Sequence, residues 1–126
     1  MDLNQVTFPC TDLERSIPFY QALGCRLIVH THSRYARFEC PVGDATFSLH
    51  QVDQTPSGEG VYVYFECVDL DAKVKGLLEQ GFEFQVLPVD QRWLWREARL
   101  LDPDGNQLIL YYAGDNRKNP PWRLKE

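Results

Sequence analysis

Apolar and polar residues alternate along the first segment of the chain, residues 5–10, which read Q-V-T-F-P-C. A period of two is typical of a strand that buries one of its faces. Segments rich in β-forming residues recur further on. They predict strands at residues 25–32, 34–40, 45–52, 61–67, 82–89, 93–101 and 108–112.

A helix is predicted between the first two strands. The apolar residues within 17–23 are spaced to share one helical face, and Gly24 is a natural helix end. Residues 11–14 match a capping box, but a helix starting there would hold Pro18 in its interior, where proline removes a hydrogen bond. We therefore expect the cap at Ser16 and Pro18 in the first turn, where proline is tolerated.

The second half of the chain repeats the order of the first. A polar, flexible segment at residues 53–60 is followed by a new strand and by a helix that opens at Asp69 and ends at Gly81. A shift of 57 positions superposes Val6, Phe8, Asp12, Leu13 and Gly24 on Val63, Phe65, Asp69, Leu70 and Gly81. This register predicts a duplicated β-α-β-β-β unit.

Composition narrows the function classes. The chain has 126 residues, of which 44% are hydrophobic and 25% charged, as in one globular domain. Its net charge of −5 argues against nucleic acid as a partner, because a phosphate-binding surface is normally basic. No signal-peptide pattern and no apolar run of about 20 residues is present, so we expect no membrane partner and a cytoplasmic location. The cysteines form no C-x-x-C pair and are expected to be reduced.

Three segments of the chain resemble a known family. They are V-T-F-x-x-x-D-L-E-x-S-x-x-F-Y at residues 6–20, F-E-x-V-D-L-D-A at 65–72 and D-P-D-G-N-Q-L-I-L at 102–110. Together they resemble the vicinal-oxygen-chelate superfamily, which includes glyoxalase I, bleomycin and fosfomycin resistance proteins and extradiol dioxygenases. The resemblance implies an α+β fold of two βαβββ modules. Their strands would form a curled, mixed eight-stranded sheet, an open cup with the helices outside.

The resemblance also implies a domain organisation. We expect a single domain over residues 1–126, with module one at 3–53, a linker at 54–60, module two at 61–113 and a C-terminal tail at 114–126. A homodimer is expected, with or without exchange of modules between chains.

Catalytic members of this superfamily usually hold a divalent metal with four side chains, one from the first and one from the last strand of each module. The resemblance places these positions at Gln5, Ser48, Tyr62 and Ile109. The Gln5 carbonyl oxygen could coordinate, but Ser48 and Tyr62 are poor ligands for such ions and Ile109 cannot be one. We therefore expect no metal and no other cofactor.

Two enzymatic alternatives remain open. His50 and Glu66 lie near the usual ligand positions, and with Gln5 they could form an irregular divalent-metal site of a lyase or dioxygenase. Either residue could instead be the base of a metal-free isomerase. His30 and His32 lie two residues apart on a predicted strand without an apparent third ligand, and we interpret them as surface residues.

The predicted pocket face is aromatic and polar. Its candidate ligand-binding residues are Gln5, Thr7, Ser48, His50, Tyr62, Tyr64, Glu66, Trp93, Trp95, Gln107, Ile109 and Tyr111. Trp93 and Trp95 are expected to point the same way on one strand, against a ligand, the core or a dimer interface. Rings supply contact area and a few polar groups fix orientation. We therefore predict metal-independent binding of an amphipathic or aromatic compound, with a purely protein-interacting module as a further alternative.

Overall fold

The computed structural model describes residues 1–125, which form two compact units. One consists of Met1–Gly60 together with Asp102–Asn106, and the other of Val61–Leu101 together with the residues from Gln107 onwards. The second unit begins where the sequence predicts the second module. The turn at 102–106 belongs to the first unit, although it joins two strands of the second.

The first unit is a four-stranded mixed sheet with one helix. Its elements are β1 (Gln5–Cys10), α1 (Leu13–Leu23), β2 (Arg26–Thr31), β3 (Tyr35–Glu39) and β4 (Thr46–Gln51). The strand order is β1-β4-β3-β2. β1 runs parallel to β4, and the other neighbours are antiparallel.

The second unit has the same arrangement. Its elements are β5 (Tyr62–Glu66), α2 (Leu70–Glu79), β6 (Val86–Asp90), β7 (Arg96–Leu101) and β8 (Gln107–Tyr112), followed by a 3₁₀ turn at Gly114–Asn116. The strand order β5-β8-β7-β6, with β5 parallel to β8, matches that of the first sheet. The predicted α+β fold of two βαβββ modules is confirmed.

One face of each sheet is apolar and packs against the helix of its unit. In the first unit the Tyr20 ring of α1 lies 4.5 Å from Phe47 and 5.9 Å from Phe38, measured between ring centroids. In the second unit Val74 and Leu77 of α2 are almost completely buried. Because side chains alternate along a strand, the neighbouring residues lie on the opposite face. We call this the helix-free face of each sheet.

The predicted start of α1 is wrong. The helix begins at Leu13 and is capped by Asp12, whose side chain accepts a hydrogen bond from the backbone N–H of Arg15. Pro18 therefore lies inside the helix, where a proline typically costs about 3 kcal/mol. The burial of five residues on this helix offsets that cost: Leu13, Ser16, Ile17, Tyr20 and Leu23. Tertiary packing overrides the local preference.

The strand expected at residues 93–101 is also wrong in its first part. Leu94 has a φ of 69°, and its N–H bonds to the carbonyl of Gln91 in a turn, so β7 begins only at Arg96. Trp93 and Trp95 therefore do not lie on one strand. The prediction that His30 and His32 lie on the same strand is also wrong. His32 has a φ of 45° and lies in a turn beyond the end of β2.

The turn at residues 102–106 is held together by hydrogen bonds to the carboxylate of Asp102. One oxygen of Asp102 accepts from the backbone N–H groups of Asp104 and Asn106 at 2.9 and 2.8 Å. The other accepts from the Tyr20 hydroxyl at 2.6 Å. Burial, with the neighbouring Asp102 charge, raises the pKa of Tyr20, so this hydroxyl remains a donor. Gly105 supplies the left-handed conformation with a φ of 84°.

The second carboxylate of this turn caps the entry to α1. The Asp104 side chain is 1% exposed and accepts from the Thr11 backbone N–H at 2.9 Å and from its hydroxyl at 2.6 Å. Arg15 and Ser16 donate to it at longer distances, 3.3 and 3.4 Å. Thr11 is thus engaged by Asp104 and is not the helix cap that the capping-box pattern suggests.

The described residues contain no helix long and apolar enough to cross a membrane. All four cysteines are free. Burial raises the pKa of the Cys10 thiol to about 11, and it also raises the pKa of Cys40 and Cys67. These thiols therefore remain protonated at neutral pH and are weak nucleophiles.

Replacing Tyr20 by Phe keeps the ring but removes the hydrogen bond to Asp102. We expect the free energy of unfolding to fall by about 1.5–3 kcal/mol, as for a hydrogen bond to a charged group, measured by urea denaturation. Tyr112→Phe is the control, because Tyr112 is 43% exposed. Its effect should stay within about 0.5 kcal/mol. Equal losses in the two variants would contradict the proposed role of Tyr20.

Candidate functional site

The helix-free face of the first sheet is polar. The strand register brings four predicted candidates onto it: Gln5, Thr7, Ser48 and His50. Ser48 lies between Thr7 of β1 and Arg37 of β3, so its direct neighbour on β1 is Thr7 and not Gln5. The Ser48 side chain is fully buried, whereas His50 at the end of β4 is exposed.

Tyr35 is the centre of a hydrogen-bonded network on this face. Its hydroxyl lies 2.8 Å from the Ser48 hydroxyl, and it accepts from Arg37 Nε at 2.8 Å. The Arg37 guanidinium also lies over the Tyr35 ring, with its carbon 5.3 Å from the ring centroid. Gln5 is held nearby in the sheet, where its carbonyl oxygen accepts from the Thr46 hydroxyl at 2.7 Å.

This network changes the acidity of Tyr35. Burial alone would raise the pKa of the phenol, but hydrogen bonds from Ser48, Arg37 and Gln5 and the positive charge of Arg37 outweigh it. The net result is a pKa below the ordinary value for tyrosine. A phenol that is both hydrogen-bonded and more acidic than usual can donate a proton or a strong hydrogen bond.

The helix-free face of the second sheet carries the remaining predicted strand candidates. They are Tyr62, Tyr64 and Glu66 of β5 with Gln107, Ile109 and Tyr111 of β8. Tyr64 pairs with Ile109, so Ile109 lies beside Tyr64 and not beside Tyr62. Ile109 is 1% exposed and forms a small apolar cluster with Tyr111 and Ala113, against which Tyr62 and Trp95 pack.

Three aromatic rings of this face contact one another. Trp95 stacks on Tyr111 with centroids 4.8 Å apart, and Tyr64 meets both rings edge-on at 5.8 and 5.4 Å. The Trp95 indole N–H donates to the Asn116 carbonyl at 3.3 Å, which fixes its orientation. Tyr64 is 41% exposed. The cluster therefore presents one accessible ring on a rigid aromatic base.

The two residues considered as catalytic bases have different surroundings. Glu66 is exposed, and one of its oxygens accepts from the backbone N–H groups of Ala113 and Gly114 at 2.8 and 2.9 Å. These bonds hold the chain after β8 and engage that oxygen structurally. Burial, with the Glu66 charge as a further cause, raises the pKa of Tyr111. His50 belongs to the first unit, whereas Glu66 belongs to the second. On β4, His50 pairs with Tyr35 of β3.

A buried carboxylate on β7 is not among the predicted site residues. Glu97 is 1% exposed, and its two oxygens accept from the Trp93 indole N–H at 2.8 Å and from Arg99 Nη2 at 3.3 Å. Arg99 in turn lies over the Tyr62 ring, 5.7 Å from its centroid. Trp93 is therefore held by a carboxylate, whereas Trp95 joins the aromatic cluster.

Four polar residues of these faces were not predicted: Tyr35, Arg37, Glu97 and Arg99. The sequence does contain a signal for them. Tyr35 and Arg37 are two positions apart on β3, and Glu97 and Arg99 are two positions apart on β7, which in each module is the strand before the last. Alternation alone would have placed each pair on one face. The pairing partners depend on the strand register.

An open groove lies elsewhere in the second unit, beside α2 and β6. It is lined by Asp71, Val74, Lys75, Leu78, Leu87, Pro88 and Arg96. Arg96 bonds to Asp71 at 2.9 Å and to Asp90 at 3.0 Å. None of the twelve predicted ligand-binding residues lines this groove.

Comparison with known proteins identifies the family. Residues 2–110 match the model of the Glyoxalase/Bleomycin resistance protein/Dioxygenase superfamily. A search of curated proteins finds no match. Many solved structures are similar in fold.

Three of these structures illustrate the range. A glyoxalase/bleomycin resistance protein/dioxygenase from Nocardioides is 25% identical, with a TM-score of 0.78 over 99% of this chain and 90% of that chain. A superfamily member from Sphaerobacter thermophilus is also 25% identical, with a TM-score of 0.73 over 89% and 97%. A bleomycin-binding protein complexed with bleomycin is 19% identical, with a TM-score of 0.72 over 89% and 98%, which shows the common fold.

The residues at the usual metal positions do not fit a divalent ion. Ser48 is bonded to Tyr35, and Ile109 is an apolar side chain inside a cluster. Within residues 1–125, no group of three or more His, Cys, Asp or Glu side chains could hold a metal ion. The irregular set of Gln5, His50 and Glu66 includes only two such side chains, and Glu66 bonds to backbone N–H groups.

The lowered pKa of Tyr35 gives a test by pH titration. We expect one tyrosine to ionise below the ordinary value of about 10 when phenolate absorbance is followed in the folded protein. Tyr35→Phe should remove this component. The charged and titratable groups on this face are Arg37, Glu39 and His50 with Arg26 of β2, and Arg37 is the cation bonded to the phenol.

Because the folded-state pKa lies below the unfolded one, the ionised phenol adds stability that is present above the unfolded pKa. This contribution is lost as the pH falls through the folded pKa. Tyr112→Phe is the control and should leave the early component intact. An early component that survives in Tyr35→Phe would show that another tyrosine carries it.

Proposed function

The chain belongs to the Glyoxalase/Bleomycin resistance protein/Dioxygenase superfamily, and on this premise we propose that it binds a small aromatic or amphipathic compound without a metal ion. The observation that supports this proposal is the aromatic cluster on the helix-free face of the second sheet. Tyr64, Trp95 and Tyr111 contact one another there, within 4.8 to 5.8 Å between centroids.

The cluster suits a planar ligand for a physical reason. Aromatic side chains bury much area with only two rotatable bonds, so ordering them on binding costs little entropy. Trp95 and Tyr111 are already stacked, at an interplanar angle of 26°. Tyr64 leaves 41% of its surface exposed, which makes it the ring that a ligand would contact first.

The residues at the usual metal positions supply an incomplete set of ligands, which supports the metal-independent part of the proposal. An apolar side chain at Ile109 provides no donor atom, and the Ser48 hydroxyl already bonds to Tyr35. The bleomycin-binding protein, complexed with bleomycin, provides a precedent for the use of this fold in binding an organic compound.

We include a cytoplasmic homodimer in this proposal. Four free thiols suit a reducing compartment. The dimer follows from the family resemblance, and the molar mass of the purified protein by light scattering tests it. A mass of one 14.7 kDa chain would contradict it.

Ligand binding can be followed by tryptophan fluorescence, since Trp95 lies within the cluster. We expect at least one compound of a panel of substituted aromatics to change the emission with a saturable dependence on concentration. Tyr64→Ala should weaken its binding about tenfold, or about 1.4 kcal/mol, through loss of the accessible ring.

Tyr112→Ala is the matched control for Tyr64→Ala. Tyr112 is similarly exposed, at 43%, but the alternation along β8 places it on the opposite face from Tyr111. Its affinity for the same compound should match that of the unmodified protein. The proposal would be refuted by a panel without any response, or by equal losses in the two variants.

The metal-independent part has a separate test. Protein purified without an affinity tag should contain less than stoichiometric Zn, Ni, Mn and Fe by elemental analysis, because the donor set is incomplete. The affinity for the panel compound should be unchanged by excess EDTA. A stoichiometric metal that is lost in His50→Ala would instead support the irregular metal site and an enzymatic function.

A further inference from the structure

The two sheets each carry an arginine at the same place. Arg37 of β3 pairs with Ser48 of β4, and Arg99 of β7 pairs with Ile109 of β8, so both lie opposite the third residue of the last strand of the module. Each guanidinium lies over a tyrosine ring, at 5.3 Å for Arg37 and 5.7 Å for Arg99. The duplicated unit therefore has a cation on both helix-free faces.

The two arginines differ in how their charge is compensated. Arg99 forms a salt bridge with Glu97 at 3.3 Å, and Glu97 is the residue two positions before it. The residue two positions before Arg37 is Tyr35, to which Arg37 Nε donates at 2.8 Å. Among residues 1–125, Arg37 has no carboxylate within 4.0 Å.

A large part of the Arg37 guanidinium is available to a ligand. Arginine has five N–H donors, and within the described part of the chain only the one on Nε has a partner. The side chain is half-buried, so part of it reaches solvent. Glu39, the carboxylate on the same strand face, instead pairs with Arg26 at 3.5 Å.

We propose that Arg37, together with the hydroxyl of Tyr35, binds the carboxylate group of a small organic ligand. A guanidinium presents two parallel N–H groups that match the two oxygens of a carboxylate. Arg37 offers one positive charge, and on a chain of net charge −5 this suits a singly charged carboxylate better than a multiply charged phosphate. The inference goes beyond the proposed function, because it concerns the first unit alone and names a carboxylate as the ligand group bound there.

Tyr35 positions the arginine and adds a donor. Its oxygen accepts from Arg37 Nε, and its ring lies beneath the guanidinium, so the fork is held in one orientation. Ser48 shares a hydrogen bond with the same hydroxyl at 2.8 Å. When Ser48 donates that bond, the Tyr35 proton is free to point at the ligand carboxylate.

The test compares sodium benzoate with benzamide, which has the same ring and no charge. Binding is measured by the ¹⁵N–¹H resonance of Arg37 Nε. Benzoate should bind at least about tenfold more tightly than benzamide, as expected for a bidentate arginine–carboxylate pair. Arg37→Gln should remove this preference and Arg37→Lys should reduce it. Arg34→Gln, which changes an exposed arginine near the same strand, should leave it intact.

A second readout follows the phenol. Bound benzoate adds a negative charge near Tyr35 and should raise the pH at which this phenol ionises in the absorbance titration. That upward shift should be absent in Arg37→Gln. If Arg37→Gln does not fold, Arg37→Lys takes its place as the test variant. It keeps the positive charge but lacks the two parallel N–H groups, so its preference for benzoate over benzamide should be reduced. Sodium phosphate should perturb the Arg37 resonance no more than chloride does, and a stronger effect of phosphate would overturn the choice of carboxylate.

The outcomes separate this inference from the proposed function. Equal affinity for benzoate and benzamide would overturn the inference. If Tyr64→Ala still weakens the binding of the panel compound, the proposed function stands. If no panel compound changes the tryptophan fluorescence, the proposed function fails. Sodium acetate then decides the inference alone: a saturable shift of the Arg37 Nε resonance supports a carboxylate site, and no shift overturns it.

Discussion

The structure of the first unit depends on two buried carboxylates in the turn at residues 102–106. Burying a carboxylate is costly unless its oxygens receive hydrogen bonds. Asp102 receives them from the turn itself and from Tyr20, and Asp104 receives them chiefly from Thr11. The start of α1 and the conformation of the turn are therefore mutually dependent, although they are far apart in the sequence. A proline inside α1 is tolerated in this setting because the helix is held at its entry and along its buried face.

The two faces of each sheet have separate roles. The helix-covered faces are apolar and carry most of the buried hydrophobic residues, so they leave little room for polar side chains. The helix-free faces carry arginines at equivalent positions, Arg37 and Arg99, but the surroundings of these two residues differ. Glu97 neutralises Arg99 beside the aromatic cluster, whereas Arg37 meets the hydroxyl of Tyr35. The two modules thus have equivalent arginine positions, and among residues 1–125 only Arg99 of the two has a carboxylate partner.

The family relationship constrains the fold more than the chemistry. The match over residues 2–110 and the similar solved structures identify the superfamily and its two-module architecture. Two of the positions that the family resemblance assigns to a metal ligand are a serine bonded to Tyr35 and an isoleucine inside an apolar cluster. The side chains of the helix-free faces are instead aromatic rings and hydrogen-bonding groups.

Local periodicity and turn residues are sufficient to predict the order of elements, the repeat of the module and the faces on which Gln5, Ser48, Tyr64 and Ile109 lie. The start of α1 depends on tertiary packing, since long-range bonds and burial outweigh the local cost of Pro18. The tertiary structure also shows that a left-handed residue at 94 ends the expected strand. The partners of Tyr35, Arg37 and Glu97 depend on strand register and on contacts between side chains, which no local pattern encodes. The candidate residues were thus partly visible in the sequence, whereas their hydrogen bonds and charge compensation required the folded chain.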